Sequence, residues 1–90
     1  MSITINIPIT HRHFTGGEKS LATTGETVGE ALKKLVAAWP AMEKELFDQK
    51  GELLNTMEIY INMESAYPNE LARELAPGDT VQIATILSGG

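Results

Sequence analysis

The chain closes on Ser88-Gly89-Gly90, and the chemistry its residue types allow is concentrated there. The α-carboxylate of Gly90 has an ordinary pKa of about 3.5, so it is ionised at neutral pH. Gly89 and Gly90 carry no side chains, so such a tip fits a narrow slot in another protein, and three extended residues reach about 10 Å. A carboxylate delivered to ATP attacks the α-phosphate, pyrophosphate leaves, and the product is an acyl-adenylate. A sulfur or nitrogen nucleophile then displaces AMP from the acyl carbon. The plainer alternative is a frayed end without a role.

Other candidate groups are weaker. His11 and His13 flank Arg12 and share a face if that segment is extended, which is one requirement for a metal pair. No cysteine stands nearby and no carboxylates are obviously placed, so a solvated loop is the expectation and no metal site is assigned. The serines have no His/Asp partners at a recognisable spacing for a hydrolytic triad. No phosphate-binding loop or dinucleotide fingerprint is present. Trp39 and Phe47 read as core or core edge, Asp79 as a turn residue bonding nearby backbone, and Glu43, Lys44 and Glu45 as solvated charge. The chain is therefore not expected to be an enzyme.

Composition narrows the partners. Ninety residues hold one domain, and twelve acidic against seven basic residues give a net charge of −5. Phosphate-binding proteins need a basic footprint, so nucleic acid is disfavoured, as is an anionic membrane surface. A partner with a basic face fits better. The absence of cysteine excludes disulfides, a thiolate nucleophile and thiolate metal ligands. No basic n-region or long apolar run follows Met1, so the expected compartment is the cytoplasm.

The elements that must carry the tail are legible in the periodicity. Ile3, Ile5 and Ile7 alternate with Thr4 and Asn6, a half-buried strand ended by Pro8. Thr15 to Glu18 is a turn, and Lys19 to Thr23 returns as a second strand. Thr27 and Glu30 fit a capping box before a helix over about 27–39, with Val28, Ala31, Leu32, Leu35, Val36 and Trp39 on one stripe. Pro40 stops it. A short helix or turn follows over 42–47, with Leu46 and Phe47 inward. Met57, Ile59 and Ile61 alternate as a third strand, and a short edge strand is expected near Tyr67. Leu71 and Leu75 are expected on one helical turn, then a Pro77-Gly78-Asp79 turn and a last strand over 80–87. The order β-β-α-β-(β)-β implies a mixed sheet of four to five strands, the first and last paired in parallel, with one helix on one face. The expected core is Ile3, Ile5, Ile7, Leu32, Leu35, Val36, Ile59, Ile61, Val81 and Ile83. Residues 1–87 form the domain and 88–90 the tail.

Parity then assigns the other face of the sheet. With Val81 and Ile83 inward, Gln82, Ala84 and Ile86 point outward, and Tyr60 joins them from the third strand. Tyr60, Ala84, Ile86 and Leu87 are the expected partner-binding residues beside the tail; scattered surface hydrophobes are the alternative.

These features together resemble the ubiquitin-like β-grasp sulfur carriers of the MoaD and ThiS type. The closing pattern of Leu71, Leu75, Pro77-Gly78-Asp79, Val81, Ile83 and Gly89-Gly90 carries the resemblance. Ile59-Tyr60-Ile61-Asn62 and Thr27-Val28-Gly29-Glu30 with Leu32 and Leu35 extend it. Ile5-Asn6-Ile7-Pro8 and Phe14-Thr15-Gly16-Gly17 with Lys19-Ser20 look most like the CysO-type subgroup. Thr85-Ile86-Leu87 lacks the proline that family members often carry there, which implies a less stiff tail. The resemblance implies a β-grasp fold and no bound cofactor. It also implies that a partner adenylating enzyme of the E1-like class spends ATP to activate Gly90, with Gly89 and Ser88 threading its slot. A terminal thiocarboxylate would then pass to a downstream sulfur-accepting synthase of the cysteine, molybdopterin or thiamine type. Two alternatives stay open: a protein modifier joined through Gly90 to lysines, and a binding subunit with an inert tail.

Overall fold

Alternating isoleucines form β1 (Ile3–Asn6), with Ile3 and Ile5 buried and Thr4 and Asn6 only half covered. The computed structural model describes residues 2–86. β1 lies between β2 (Ser20–Thr23), antiparallel, and β5 (Thr80–Thr85), parallel. β3 (Met57–Ile61) runs antiparallel to β5, and β4 (Glu64–Ser65) closes the edge beside Tyr60 and Ile61. The sheet order is β2-β1-β5-β3-β4, so β5 sits at the centre, where the chain leads out towards its C-terminal residues. The expected mixed sheet and its parallel central pair are both present.

Helix α1 (Val28–Ala38) covers one face. Thr27 caps it by accepting from the Glu30 amide at 3.2 Å; among the described residues Glu30 makes no reciprocal bond, so the capping box is half formed. Val28, Ala31, Leu32 and Leu35 are fully buried against Ile5, Ile59, Val81 and Ile83 in one apolar cluster. Val36 and Ile61, expected in that core, are half-buried and pack at its rim. Val36 lies at the side of the helical stripe, and Ile61 is the last residue of β3 before its turn. Met42, not expected there, is fully buried: after Pro40 the chain makes a 3-10 turn, Pro40–Met42, and then α2 (Glu43–Leu46), and this tucks Met42 and Leu46 under α1.

Three local expectations are corrected. The edge strand is Glu64–Ser65 rather than a segment near Tyr67, because a tight turn at Asn62 and Met63, both with positive φ, reverses the chain at once. Leu71 and Leu75 do not share a helical turn. The 3-10 turn is only Glu70–Ala72, after which Glu74 bridges Thr27 and the Leu75 amide donates to the Glu26 carbonyl at 2.8 Å. This bonding to the α1 entry pulls the segment extended, and Gly29 permits the close approach: a Cβ there would stand 3.0 Å from the Leu71 carbonyl oxygen. The third correction concerns the hairpin tip. Residues Ile9–Thr15 wind into a 3-10 helix closed by Gly16 at φ 64°, so His11 and His13 point apart. His11 is buried, with Nε2 3.0 Å from Glu45 Oε1 and Nδ1 2.9 Å from Thr10 Oγ1. Glu45 is thus half of a clasp between the tip and α2 rather than free surface charge.

Candidate functional site

The site grows from the open face of the sheet and the end of β5. Hydrogen-bonding parity sets the face: Tyr60 pairs across with Gln82, and Glu58 with Ala84. Val81 and Ile83 point the other way and are fully buried. Beyond the last strand residue, Thr85, the Ile86 amide still donates to the Thr56 carbonyl at 2.8 Å. Ile86 thus falls outside the strand expected to include it, and Leu87, the last residue of that expectation, lies outside the described residues; the base of the tail is held at Ile86. Ile86 is 42% exposed, although its neighbours two and four residues back are only half exposed.

Tyr60 lies on the expected face but not beside the chain's exit. It faces Gln82, four residues before Ile86, or about 13 Å along the strand. Glu58 and Ala84 stand closer to the exit than Tyr60 does. The Tyr60 hydroxyl donates to Glu58 Oε2 at 3.0 Å. That bond, and the negative charge behind it, raise the Tyr60 phenol above its ordinary value. The raised value means that its contribution to stability is complete below pH 10 and disappears as pH climbs through the folded-state value. In an ultraviolet phenolate titration, Glu58→Gln is expected to bring Tyr60 back towards the ordinary range. A titration curve unchanged by that substitution would break the pairing.

At the opposite end of β5, Asp79 organises the turn that launches the strand. Its Oδ2 accepts from the Ala76 amide at 2.8 Å and its Oδ1 from Asn62 Nδ2 at 2.9 Å. These bonds, the backbone one first, hold its carboxyl below the ordinary carboxylate value. The expected turn role is present, and Asn62 Oδ1 in turn accepts from the Thr80 amide at 3.0 Å. The start of β5 is therefore tied to the β3–β4 turn.

Among the sequence-nominated residues, the structure gathers Ala84 and Ile86 on one face with Tyr60. Leu87, Ser88, Gly89 and Gly90 lie outside the described residues. His11 and His13 are separated from this site by the fold, and among the described residues no cluster of three His, Asp or Glu side chains gathers to hold a metal. No helix of the described residues is long and apolar enough to cross a membrane. Sequence reasoning passed over Glu58, Tyr67 and Glu70, which surround Ile86 in a surface groove. Parity alone already placed Glu58 beside Tyr60; the loop that brings Tyr67 and Glu70 in carries no periodic signal.

The geometry has counterparts in known proteins. The chain is 34% identical to the sulfur carrier protein CysO of Mycobacterium tuberculosis H37Rv, covering all of both chains. Its structure is similar to one in the Amycolatopsis orientalis BexX/CysO complex, with a TM-score of 0.87 and 30% identity over 98% of this chain and 99% of that one. It is similar also to the small archaeal modifier SAMP1 of Haloferax volcanii, with a TM-score of 0.86 and 29% identity over the full length of both. These similarities make the architecture a ubiquitin-like β-grasp. The ThiS family model matches residues 5–90, the central strand and the Gly-Gly end included, and the chain belongs to the ThiS family.

Proposed function

We propose that this protein is a sulfur carrier whose working group is the Gly90 carboxylate. The observation that carries the reading is the combination of a central β5, pinned to the Thr56 carbonyl through Ile86, with a Gly-Gly end four residues further on. The 34% identity to a sulfur carrier over the full length of both chains supports it. A rigid sheet supplies the base, and the distance from Ile86 to Gly90 is at most about 14 Å when the chain between them is extended. The protein is cargo for its partners rather than a catalyst.

The chemistry runs through the partner. An adenylating enzyme holds ATP; a Gly90 carboxylate oxygen attacks the α-phosphorus, and pyrophosphate departs. Hydrosulfide attacks the acyl carbon of the adenylate, the C–O bond to phosphate breaks and AMP departs with its electron pair, and loss of the sulfur-bound proton leaves a thiocarboxylate on the terminus. A downstream synthase then takes the sulfur. The relative crystallised as a BexX/CysO complex supports docking of such carriers on a second protein. ATP is bound by the partner, and the carrier itself needs no cofactor. Residues 1–87 serve as the docking body and 88–90 as the arm, with Ser88 and Gly89 threading the slot.

Intact mass of the protein isolated from its own host tests the proposal. The expected species is heavier than the bare chain by the exchange of one oxygen for sulfur. A population carrying only the bare carboxylate, under conditions where the pathway runs, overturns it. A second reading, a protein modifier joined to lysines through Gly90, is favoured by the likeness to SAMP1. High-mass adducts on denaturing immunoblots, lost on removal of Gly90, are its signature.

The open face gives a separate expectation. Ile86→Asp is expected to leave the unfolding midpoint nearly unchanged, because the side chain is 42% exposed. Docked, the same carboxylate is desolvated without a partner, and affinity for the adenylating enzyme drops about 30-fold, the scale of an interface hot spot at roughly 2 kcal/mol. Binding calorimetry with the two proteins measures it. Unfolding of this variant would instead make Ile86 a core residue.

A further inference from the structure

Two of the four exposed large apolar side chains among the described residues meet in one place. Tyr67, 74% exposed, and Ile86 line a groove of about 290 Å³ together with Leu53 and Leu54. Among the described residues the groove's only charged lining residues are Glu58 and Glu70, with no Lys or Arg. We infer that this groove recognises a segment of the adenylating enzyme that carries a lysine or arginine next to an apolar side chain, and that Glu58 and Glu70 read that cation. The inference rests on the sulfur-carrier reading and adds to it the chemistry of the partner's contact.

Several observations point to this occupant over others. At 290 Å³ and open to solvent, the groove lies at or below the lower end of small-molecule pockets, which run about 300–1,000 Å³. It holds a few side chains rather than a whole ligand. A second copy of the chain would bring a net charge of −5 against the same acidic lining, which like-charge repulsion opposes. Strand addition is disfavoured as well. Along this edge of β3 the Met57 amide donates to the Leu54 carbonyl, and the Ile59 carbonyl accepts from the Ala66 amide. The remaining edge is covered by β4 at Tyr60 and Ile61. Little main chain is left to pair, so recognition falls to side chains.

Glu58 is suited to that task. The Tyr60 hydroxyl holds its Oε2, and among the described residues no donor is bonded to Oε1. A carboxylate already oriented, with one oxygen free, loses less freedom on pairing with a guanidinium or ammonium. Glu70 makes no side-chain hydrogen bond or ion pair among the described residues. The groove begins at Ile86, so a partner segment seated there also fixes the direction in which the chain leaves the sheet.

The test is ATP–pyrophosphate exchange by the same organism's adenylating enzyme, with the carrier as varied substrate. Glu58→Gln combined with Glu70→Gln is expected to raise KM on the order of tenfold with kcat within about twofold, since a rim contact governs docking rather than chemistry. Wild-type KM is expected to climb as salt shortens the Debye length from about 30 Å at 0.01 M to about 8 Å at 0.15 M, and the double variant to lose most of that slope. Glu18→Gln with Glu43→Gln changes net charge equally, away from the groove, and is expected to leave KM within about twofold. Glu70→Gln alone, which breaks no described bond, carries the same prediction at smaller size if the double variant is unstable. A KM and salt slope unchanged in the groove variants, with wild-type exchange intact, overturns the groove and spares the carrier reading. Absence of exchange with the wild-type protein overturns both. Concentration-dependent dimerisation of the chain alone, abolished by Tyr67→Ala, assigns the groove to a second copy and overturns the inference.

Discussion

Deletion of Gly90 is expected to bring ATP–pyrophosphate exchange to background while leaving the unfolding midpoint where it was. The reason is reach. Ile86, at the end of the central strand of a five-stranded sheet, is tied to Thr56, so the base of the arm cannot slide forward to compensate. Each residue contributes at most about 3.5 Å, and a misplacement of about 1 Å from in-line geometry already costs on the order of a hundredfold. Appending one residue after Gly90 carries the carboxylate past the α-phosphate and is expected to stop activation equally. Gly89→Leu keeps the carboxylate at its proper distance but adds a side chain where the slot admits only backbone, so activity falls with the chain length unchanged. Stability is insensitive to all three changes because the last fully buried residue of β5 is Ile83. Equal exchange from the Gly90-deleted protein would leave the inert-tail reading in place of the carrier.

What the sequence alone made visible follows from how local each signal is. Strand parity is strictly local: with Val81 and Ile83 set inward, Ala84 and Ile86 had to face outward, and the structure places them so. The α1 stripe and its Thr27 cap were legible for the same reason, as was the Pro77-Gly78-Asp79 turn. The misplacements concern segments whose shape is decided by distant partners. An i, i+4 pair of leucines at 71 and 75 reads as a helical turn, but bonds to Glu26 and Thr27 at the α1 entry outweigh that preference. His11 reads as a loop histidine because its partner, Glu45, is 34 residues away. Tyr60 was rightly turned outward, yet its distance from the chain exit depends on the register of β3 against β5, which periodicity does not specify. The acidic groove needed three separate segments to meet at Ile86, and no single window of sequence contains them.

Leu35→Ala is expected to be the most destabilising of the single truncations considered, at about 2–5 kcal/mol. Leu35 is fully buried in the cluster that α1 forms with the sheet. Truncation forfeits its transfer energy and leaves a cavity that the surrounding isoleucines cannot refill, because β-branched side chains on a paired sheet have few alternative rotamers. Helix propensity does not contribute to the loss, since alanine is at least as good a helix former as leucine. A domain of this size holds roughly 5–13 kcal/mol in total, so the loss is a large share of it. At about 4–8 °C per kcal/mol, the thermal midpoint falls by at least about 8 °C. Val36→Ala supplies the internal comparison. Val36 neighbours Leu35 on the same helix but is only half-buried, so its truncation is expected to cost about 1 kcal/mol. Lys33→Ala, on the solvent side, is expected to stay within about 0.5 kcal/mol. Chemical denaturation of the three variants measures the ranking, and a Val36→Ala loss equal to that of Leu35→Ala would mean that α1 presents a different face to the sheet. A helix rotated in that way would also shift the half-buried rim residues packed against it, Leu71 and Leu75 among them, so the ranking checks the packing of the whole layer rather than one side chain.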